Sequence, residues 1–260
     1  MRCTILIVVL LFIGCAKNKK NVYLQEQQIS LAQPRVNVTS TIIDSSVVAT
    51  ANLDMENVDI YYTNDGTKPN QKSLMYNTPL KIKEQGNYKF RAFHPDWKPS
   101  AVTKLKLYKK GYRPNKIDWE TNITTTYPGI GEATVVNQKK GSLNFRDKQW
   151  FGSDSIVKAT VNFKEKTYVE SMIIGYLVDT KSWIFSPSQV ILCFSKTDSI
   201  TINLEKLKAK DLRELNDIEI RINKTIDSIN ITVVNTIELP EWHPGKGSKA
   251  WLFMDEWIFN

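Results

Sequence analysis

From Val36 to Met254 the sequence is built of short runs whose apolar residues recur at every second position, separated by clusters of Gly, Pro, Asn and Asp. A period of two puts successive side chains on opposite faces of an extended strand, so such runs bury one face and wet the other. Val58–Thr63 (VDIYYT), Tyr88–Phe93 (YKFRAF) and the AVTKLKLY run that follows Trp97-Lys98-Pro99-Ser100 have this form. Asn64-Asp65-Gly66 reads as a hairpin-type turn. Further strands are expected at Ser155–Phe163, Ser171–Leu177, Val190–Ser195, Ile218–Ile222, Ser228–Val234 and Ala250–Met254. The one helical candidate, Leu204–Leu215, carries Lys206, Lys208, Lys210 and Asp211 and reads as a surface excursion or a short helix. The expected class is all-β, with two antiparallel sandwiches in series.

The 260 residues accommodate two such domains and a leader. Arg2 followed by the apolar run Thr4–Ile13 suits a signal peptide and is too short to span a bilayer. Phe12-Ile13-Gly14-Cys15 resembles a bacterial lipobox, with Phe12 in place of the usual Leu. Residues 1–14 are therefore expected to be a lipoprotein signal peptide and Cys15 the lipidated residue, anchoring the protein to the cell envelope, at the outer membrane. The basic residues after Cys15 (AKNKKN) favour a periplasm-facing anchor. Residues 15–34, polar and rich in Lys and Gln, read as a tether. The first sandwich is expected over 35–108, a linker with Gly, Pro and charge over 109–120, and the second sandwich over 121–260.

A formal charge of +8 is spread along the chain without a dense basic block, and no nucleic-acid partner is expected. Three cysteines are present, and Cys3 leaves with the signal peptide. With Cys15 lipidated no internal disulfide remains, and Cys193, in the alternating VILCFS, reads as a buried inert thiol.

The first domain resembles the small immunoglobulin-like module C-terminal to chitobiase and β-hexosaminidase catalytic domains. The resemblance rests on Ile60–Pro69 (IYYTNDGTKP), Ser73–Leu80 (SLMYNTPL), Phe90-Arg91-Ala92 and Lys98-Pro99-Ser100, with Tyr61 or Tyr62 and Tyr76 packing between sheets. The second resembles the discoidin-like (coagulation factor type C) module that follows it in Bacteroidetes hexosaminidases. It does so through Gly141–Gly152 (GSLNFRDKQWFG), Gly175-Tyr176-Leu177, Ser182–Pro187 (SWIFSP) and Pro240–Glu256 (PEWHPGKGSKAWLFMDE). The resemblance implies an immunoglobulin-like small sandwich followed by a discoidin-like jelly-roll sandwich whose loops bind glycans at one end. Relatives carry an Asp-Gly pair where this chain has Asn137-Gln138, which weakens a structural calcium site, although Glu256 remains as a potential ligand. No cofactor is expected, with structural calcium left open.

Trp150, Trp183 and Trp242 offer flat faces for stacking on pyranose rings, or else belong to the core. Trp183, in a loop between Ser182 and Pro187, is the best placed, whereas Trp251 and Phe185 read as core. His243, between Trp242 and Pro244, is a donor to a sugar hydroxyl or a loop-packing residue. Lys246 and Lys249, around Gly245 and Gly247, bind hydroxyls or acidic groups or are simply solvated. No paired carboxylates, nucleophile–base pair or phosphate loop is evident, and two sandwiches leave no room for a glycosidase barrel. The expectation is a non-enzymatic, carbohydrate-binding envelope lipoprotein whose partner is a glycan, with one containing N-acetylhexosamine as the candidate. The alternative is a structural or protein-interaction module of an envelope glycan-processing complex.

Overall fold

The computed structural model describes residues 29–208 and 210–260. The signal peptide, Cys15 and most of the tether lie outside these residues. Among the described residues fifteen strands account for nearly all the regular structure, and the class is all-β, as the alternating runs predict. In the first domain they are β1 (Arg35–Val38), β2 (Ile42–Ile43), β3 (Val47–Asn52), β4 (Asp59–Thr63), β5 (Leu74–Met75), β6 (Leu80–Ile82), β7 (Gly86–Phe93) and β8 (Thr103–Lys109). The second contains β9 (Lys116–Trp119), β10 (Phe151–Ser153), β11 (Val157–Asp179), β12 (Gln189–Cys193), β13 (Ser199–Asn203), β14 (Arg213–Val234) and β15 (Leu252–Phe259).

The first domain packs the sheet β1-β3-β6 against the sheet β2-β8-β7-β4-β5. Period-two alternation turns Val47, Ala49 and Ala51 of β3 and Tyr88, Phe90 and Ala92 of β7 into the shared core. Tyr62 and Tyr76 flank Phe90, with ring centroids 5.8 and 6.3 Å away, in the position between sheets that the sequence suggested. Leu31, placed in the tether by sequence, is buried in this core, and its backbone N–H donates to the Lys98 carbonyl at 3.0 Å. The Asp65-Gly66 turn is present, with Gly66 at φ +77°, but it is not a tight hairpin. The chain runs on to Ser73 before β5, and the long partner of β4 is β7.

Two departures shape the second domain. Sequence places separate strands on either side of the polar stretches 164–170 and 223–227, yet β11 and β14 run through them as single strands. Their ladder survives by slipping register between Asn162 and Thr167 and again between Val169 and Ser171. One half of β11 pairs with β9 and the end of β14, the other with β15 and the start of β14. The ladder thus folds over a core in which Val157, Val161, Val190 and Leu192 meet Met172, Ile174, Ile220 and Trp257. The expected linker is the second departure. Its residues Lys116–Trp119 form β9, and Trp119 stacks on Phe151 at 4.8 Å. The stretch from Leu204 onward is a surface excursion leading into β14, and no helix forms there among the described residues.

The two domains are joined by buried contacts as well as by the chain. Ile42 and Tyr108 of the first pack with Ile173 and Ile258 of the second. Tyr112 pairs with Phe259 in an isolated bridge, its N–H donating to the Phe259 carbonyl at 2.6 Å. At the centre of the seam lies Asp217 on β14. Tyr108 donates its hydroxyl to Asp217 at 2.6 Å, Lys106 its ammonium at 2.7 Å, and Lys140 bridges Asp217 (3.0 Å) and Asp255 (2.8 Å). Burial pulls the Lys140 ammonium down, but the two carboxylates hold it above its ordinary value. Burial likewise pushes Asp217 up, and Lys140, Lys106 and Tyr108 bring it below the usual carboxylate range. Gly175 on β11 leaves the space that the Lys140–Asp255 pair occupies, so a side chain there would displace the pair.

Candidate functional site

At one end of the second sandwich, β11 stops at Asp179, and Thr180–Ser182 make a single 3₁₀ turn. The Asp179 carboxylate accepts from the Ser182 N–H at 3.3 Å, which starts the turn. Trp183 ends it in the left-handed conformation, φ +64°. That geometry is rare for a bulky side chain and must be held by its surroundings. The Trp183 N–H donates to the Thr180 carbonyl (3.3 Å), and the Trp183 carbonyl accepts from the Trp251 N–H (2.9 Å). Asp179 and Ile184 exchange backbone hydrogen bonds across the loop, both at 3.0 Å. The resulting indole is 40% exposed.

The facing loop closes on itself. The N–H of Leu239 donates to Ser248, that of His243 to Pro240, that of Lys246 to His243 and that of Ser248 to Gly245, at 2.8–3.0 Å. Gly245 is set by contact, since a Cβ there would lie 2.7 Å from Cζ2 of Trp183, and Gly247 by its backbone, at φ +77°. His243 pins this loop to the first. Its Nδ1 accepts from the Gly245 N–H at 3.0 Å, and its Nε2 lies 2.8 Å from the Thr180 carbonyl. A carbonyl only accepts, so the proton is on Nε2 and the ring is neutral. The imidazole stands edge-on to Trp183 and Trp242, with centroids 5.7 and 5.8 Å away.

Trp183, Trp242, His243 and Pro244, with Thr180, Lys181, Lys210 and Asp211, enclose a hollow of about 360 Å³. That is within the range of small-ligand sites, about 300–1,000 Å³. Trp183 is its exposed apolar face and Trp242 its half-buried one. Lys181 and Asp211 make an exposed pair at 3.5 Å on the rim. Sequence reasoning missed this rim, because Lys181 and Asp211 are brought together only by the end of β11 and the excursion before β14. Larger hollows, of about 680 and 540 Å³, lie along the seam between the domains.

Residues 52–107 match the family model described as Fn3 associated. The match spans β7, most of β8 and the strands between them and β3, which is less than half of the chain. No curated protein matches the sequence. Among solved structures, the chain is similar to CpGH89CBM32-4 of Clostridium perfringens, in complex with GlcNAc-α-1,4-galactose. That similarity has 14% identity over 56% of this chain and 90% of that one, TM-score 0.35. A SusE-like protein is 11% identical over 86% of this chain and 97% of its own, TM-score 0.32. A fucolectin from striped bass (Morone saxatilis) serum is 10% identical over 86% and 85%, TM-score 0.33.

Of the six residues singled out for ligand contact, the structure brings Trp183, Trp242 and His243 together and separates the others. Trp150 is 2% exposed, with its Nε1–H donating to the Ser142 carbonyl at 3.0 Å and its ring against Gly141. It is a core residue and has no face to offer a sugar. His243 lines the hollow but does not donate to a ligand, because both ring nitrogens are engaged in holding the loops. Lys246 does not line the hollow and pairs with Glu241 at 3.3 Å, while Lys249 is exposed and outside it. Phe185 is core, packed with Leu239 and Ala250, as expected from its run.

The residues proposed for calcium do not fit that ion. The Glu256 carboxylate is buried and accepts from the Gln138 N–H at 2.9 Å, and the Asn137 side-chain oxygen accepts from the Lys139 N–H at 2.8 Å. A hard cation needs six to eight oxygens, and these two face N–H donors. Among the described residues no cluster of three or more His, Cys, Asp or Glu is arranged for a metal. Burial pushes the Glu256 carboxyl up to about 8, against the Gln138 hydrogen bond and reinforced by Asp255.

Proposed function

We propose that this protein is a non-catalytic carbohydrate-binding protein of the cell envelope, lipidated at Cys15, that holds a sugar against Trp183 and Trp242. The observation that carries the reading is the pairing of an exposed indole and a half-buried indole around one hollow, fixed by a histidine that keeps both rings in place. Indole faces bind the apolar face of a pyranose, and rim groups such as Lys181 and Asp211 supply hydrogen bonds to hydroxyls. Pre-set side chains lose little rotamer freedom on binding, which suits a shallow site. The ligand class is a neutral glycan containing N-acetylhexosamine or galactose, and the first probe is GlcNAc-α-1,4-galactose. The chemistry of the hollow supports no reaction: Asp211 is its single carboxylate, and it is exposed and paired with Lys181.

Affinity electrophoresis and glycan-array screening test the reading. Trp183→Ala should abolish retention while leaving the melting temperature within a degree or two, because the indole is largely outside the core. A protein that binds no glycan, or a Trp183→Ala variant that binds as well as the parent, overturns it and leaves a protein-docking module as the reading.

A further inference from the structure

The seam between the domains carries a second feature that the Trp183 hollow does not use. The outward face of the β7–β8 hairpin presents Asn87, Lys89, Lys104 and Lys106, which stand opposite one another in register as Asn87↔Lys106 and Lys89↔Lys104. Across from them, Tyr176 of β11 and Leu215 of β14 form the wall belonging to the second domain, and the space between is about 540 Å³. Its floor is the Lys140–Asp217–Tyr108 network.

Charge in this cleft is unbalanced. Four lysines line it (Lys89, Lys104, Lys106 and Lys140) against two carboxylates, Asp217 and Asp255. Both carboxylates are already committed, Asp255 to Lys140 and Asp217 to Lys140 and Lys106. Lys89 and Lys104 are left facing each other across the ladder, an arrangement of like charges that destabilises a sheet. Lys89 donates to the Gly66 carbonyl, and neither lysine has a carboxylate within ion-pair distance among the described residues. The opposite wall is of another character: Tyr176 is half-buried and Leu215 is 47% exposed, an apolar pair beside a cationic one. Domain interfaces are preferred places for ligand sites, and the volume is within the usual range.

We infer that the cleft between the two sandwiches is a binding site for an acidic sugar, with its carboxylate or sulfate between Lys89 and Lys104 and its ring against Tyr176 and Leu215. The anion relieves the repulsion of the two ammonium groups, and the ring covers apolar surface that water now wets. This site is separate from the Trp183 hollow and does not depend on that reading.

Calorimetric titration with tetragalacturonate and with a heparin-derived tetrasaccharide tests it, with neutral galactotriose titrated into Trp183→Ala, whose own sugar hollow is lost, as control. One or both acidic probes should bind, more weakly as salt is raised; binding of the galacturonate shows that a carboxylate suffices, and binding of the heparin fragment alone that sulfate is required. Lys89→Gln/Lys104→Gln should weaken that binding at least tenfold with a melting temperature no lower than the parent's, since the repulsion between the two ammonium groups goes with them. If the double variant does not fold, Lys104→Glu, at an exposed position, takes its place. Trp183→Ala should keep the acidic binding. The inference is overturned if no acidic probe binds, if the lysine variants bind as the parent does, if galactotriose binds the cleft equally well, or if Trp183→Ala loses the acidic ligand.

Discussion

Replacing Lys140 by Met puts the seam to a quantitative test. Its ammonium lies 2.8 Å from Asp255 and 3.0 Å from Asp217, and the three side chains are 8%, 1% and 8% exposed. At an effective dielectric of about 20 each contact contributes roughly 5–6 kcal/mol of attraction. Desolvation of the three ions offsets most of that, so the intact cluster adds little net stability. Removing the cation alone is another matter, since it strands buried carboxylates at a typical cost of about 3–5 kcal/mol. Asp217 keeps Lys106 and the Tyr108 hydroxyl, so the loss falls on Asp255, which retains only the Gly141 and Glu256 N–H groups. Without its lysine, Asp255 escapes the penalty by taking up a proton. Burial already holds its carboxyl above the usual value, and loss of the lysine that opposes this raises it further, so the variant loses more stability than the parent as pH rises. Guanidinium denaturation should therefore show a deficit of about 3–5 kcal/mol at pH 8 that shrinks toward pH 5, and the Lys140→Met/Asp255→Asn double variant should recover most of it. A deficit under about 1 kcal/mol at pH 8, or a double variant no better than the single, would refute the argument.

Gly245→Ala brings a methyl to 2.7 Å from the Trp183 ring, so the indole must shift. Glycan affinity should fall at least tenfold in calorimetry, while overpacking costs about 1–3 kcal/mol of stability. Glu256→Gln should flatten the pH dependence of stability. Its raised carboxyl favours the folded state fully at low pH and progressively less between about 4.5 and about 8. The variant should therefore gain on the parent at pH 8 and match it near pH 5, which thermal melts at both values would show. Trp150→Ala should lose about 3–5 kcal/mol and broaden the melting transition, as expected of a core residue. Unchanged stability there would return Trp150 to the surface.

What could be read in the sequence followed the range of the forces involved. Alternation is local, so the faces of β7 and β12 were legible from their own residues. The length of β11 was not. Lys164, Glu165 and Lys166 are a break by composition, yet the ladder to β14 carries them through by a register slip that only the partner strand reveals. The same distinction holds at the site. Trp183 sits in a loop and is exposed there, as its neighbours Ser182 and Pro187 suggest. His243 looked like a free donor because Thr180, the carbonyl that claims it, is 63 residues away in sequence. Trp150 was misread for a similar reason, although Gly141 carried a signal in the absence of a side chain where the indole lies. Nothing local separates the buried Lys140 from its exposed neighbour Lys139.

The left-handed backbone of Trp183 has a kinetic consequence. A residue held at positive φ by its two backbone hydrogen bonds, to Thr180 and Trp251, and by a histidine-locked neighbour loop cannot relax when the hollow is empty. A sugar arriving there meets a finished surface, and no loop has to close behind it. Association should then run at the rate of productive encounters, varying little from one glycan to another. Discrimination among glycans would be expressed almost entirely in how long each one stays.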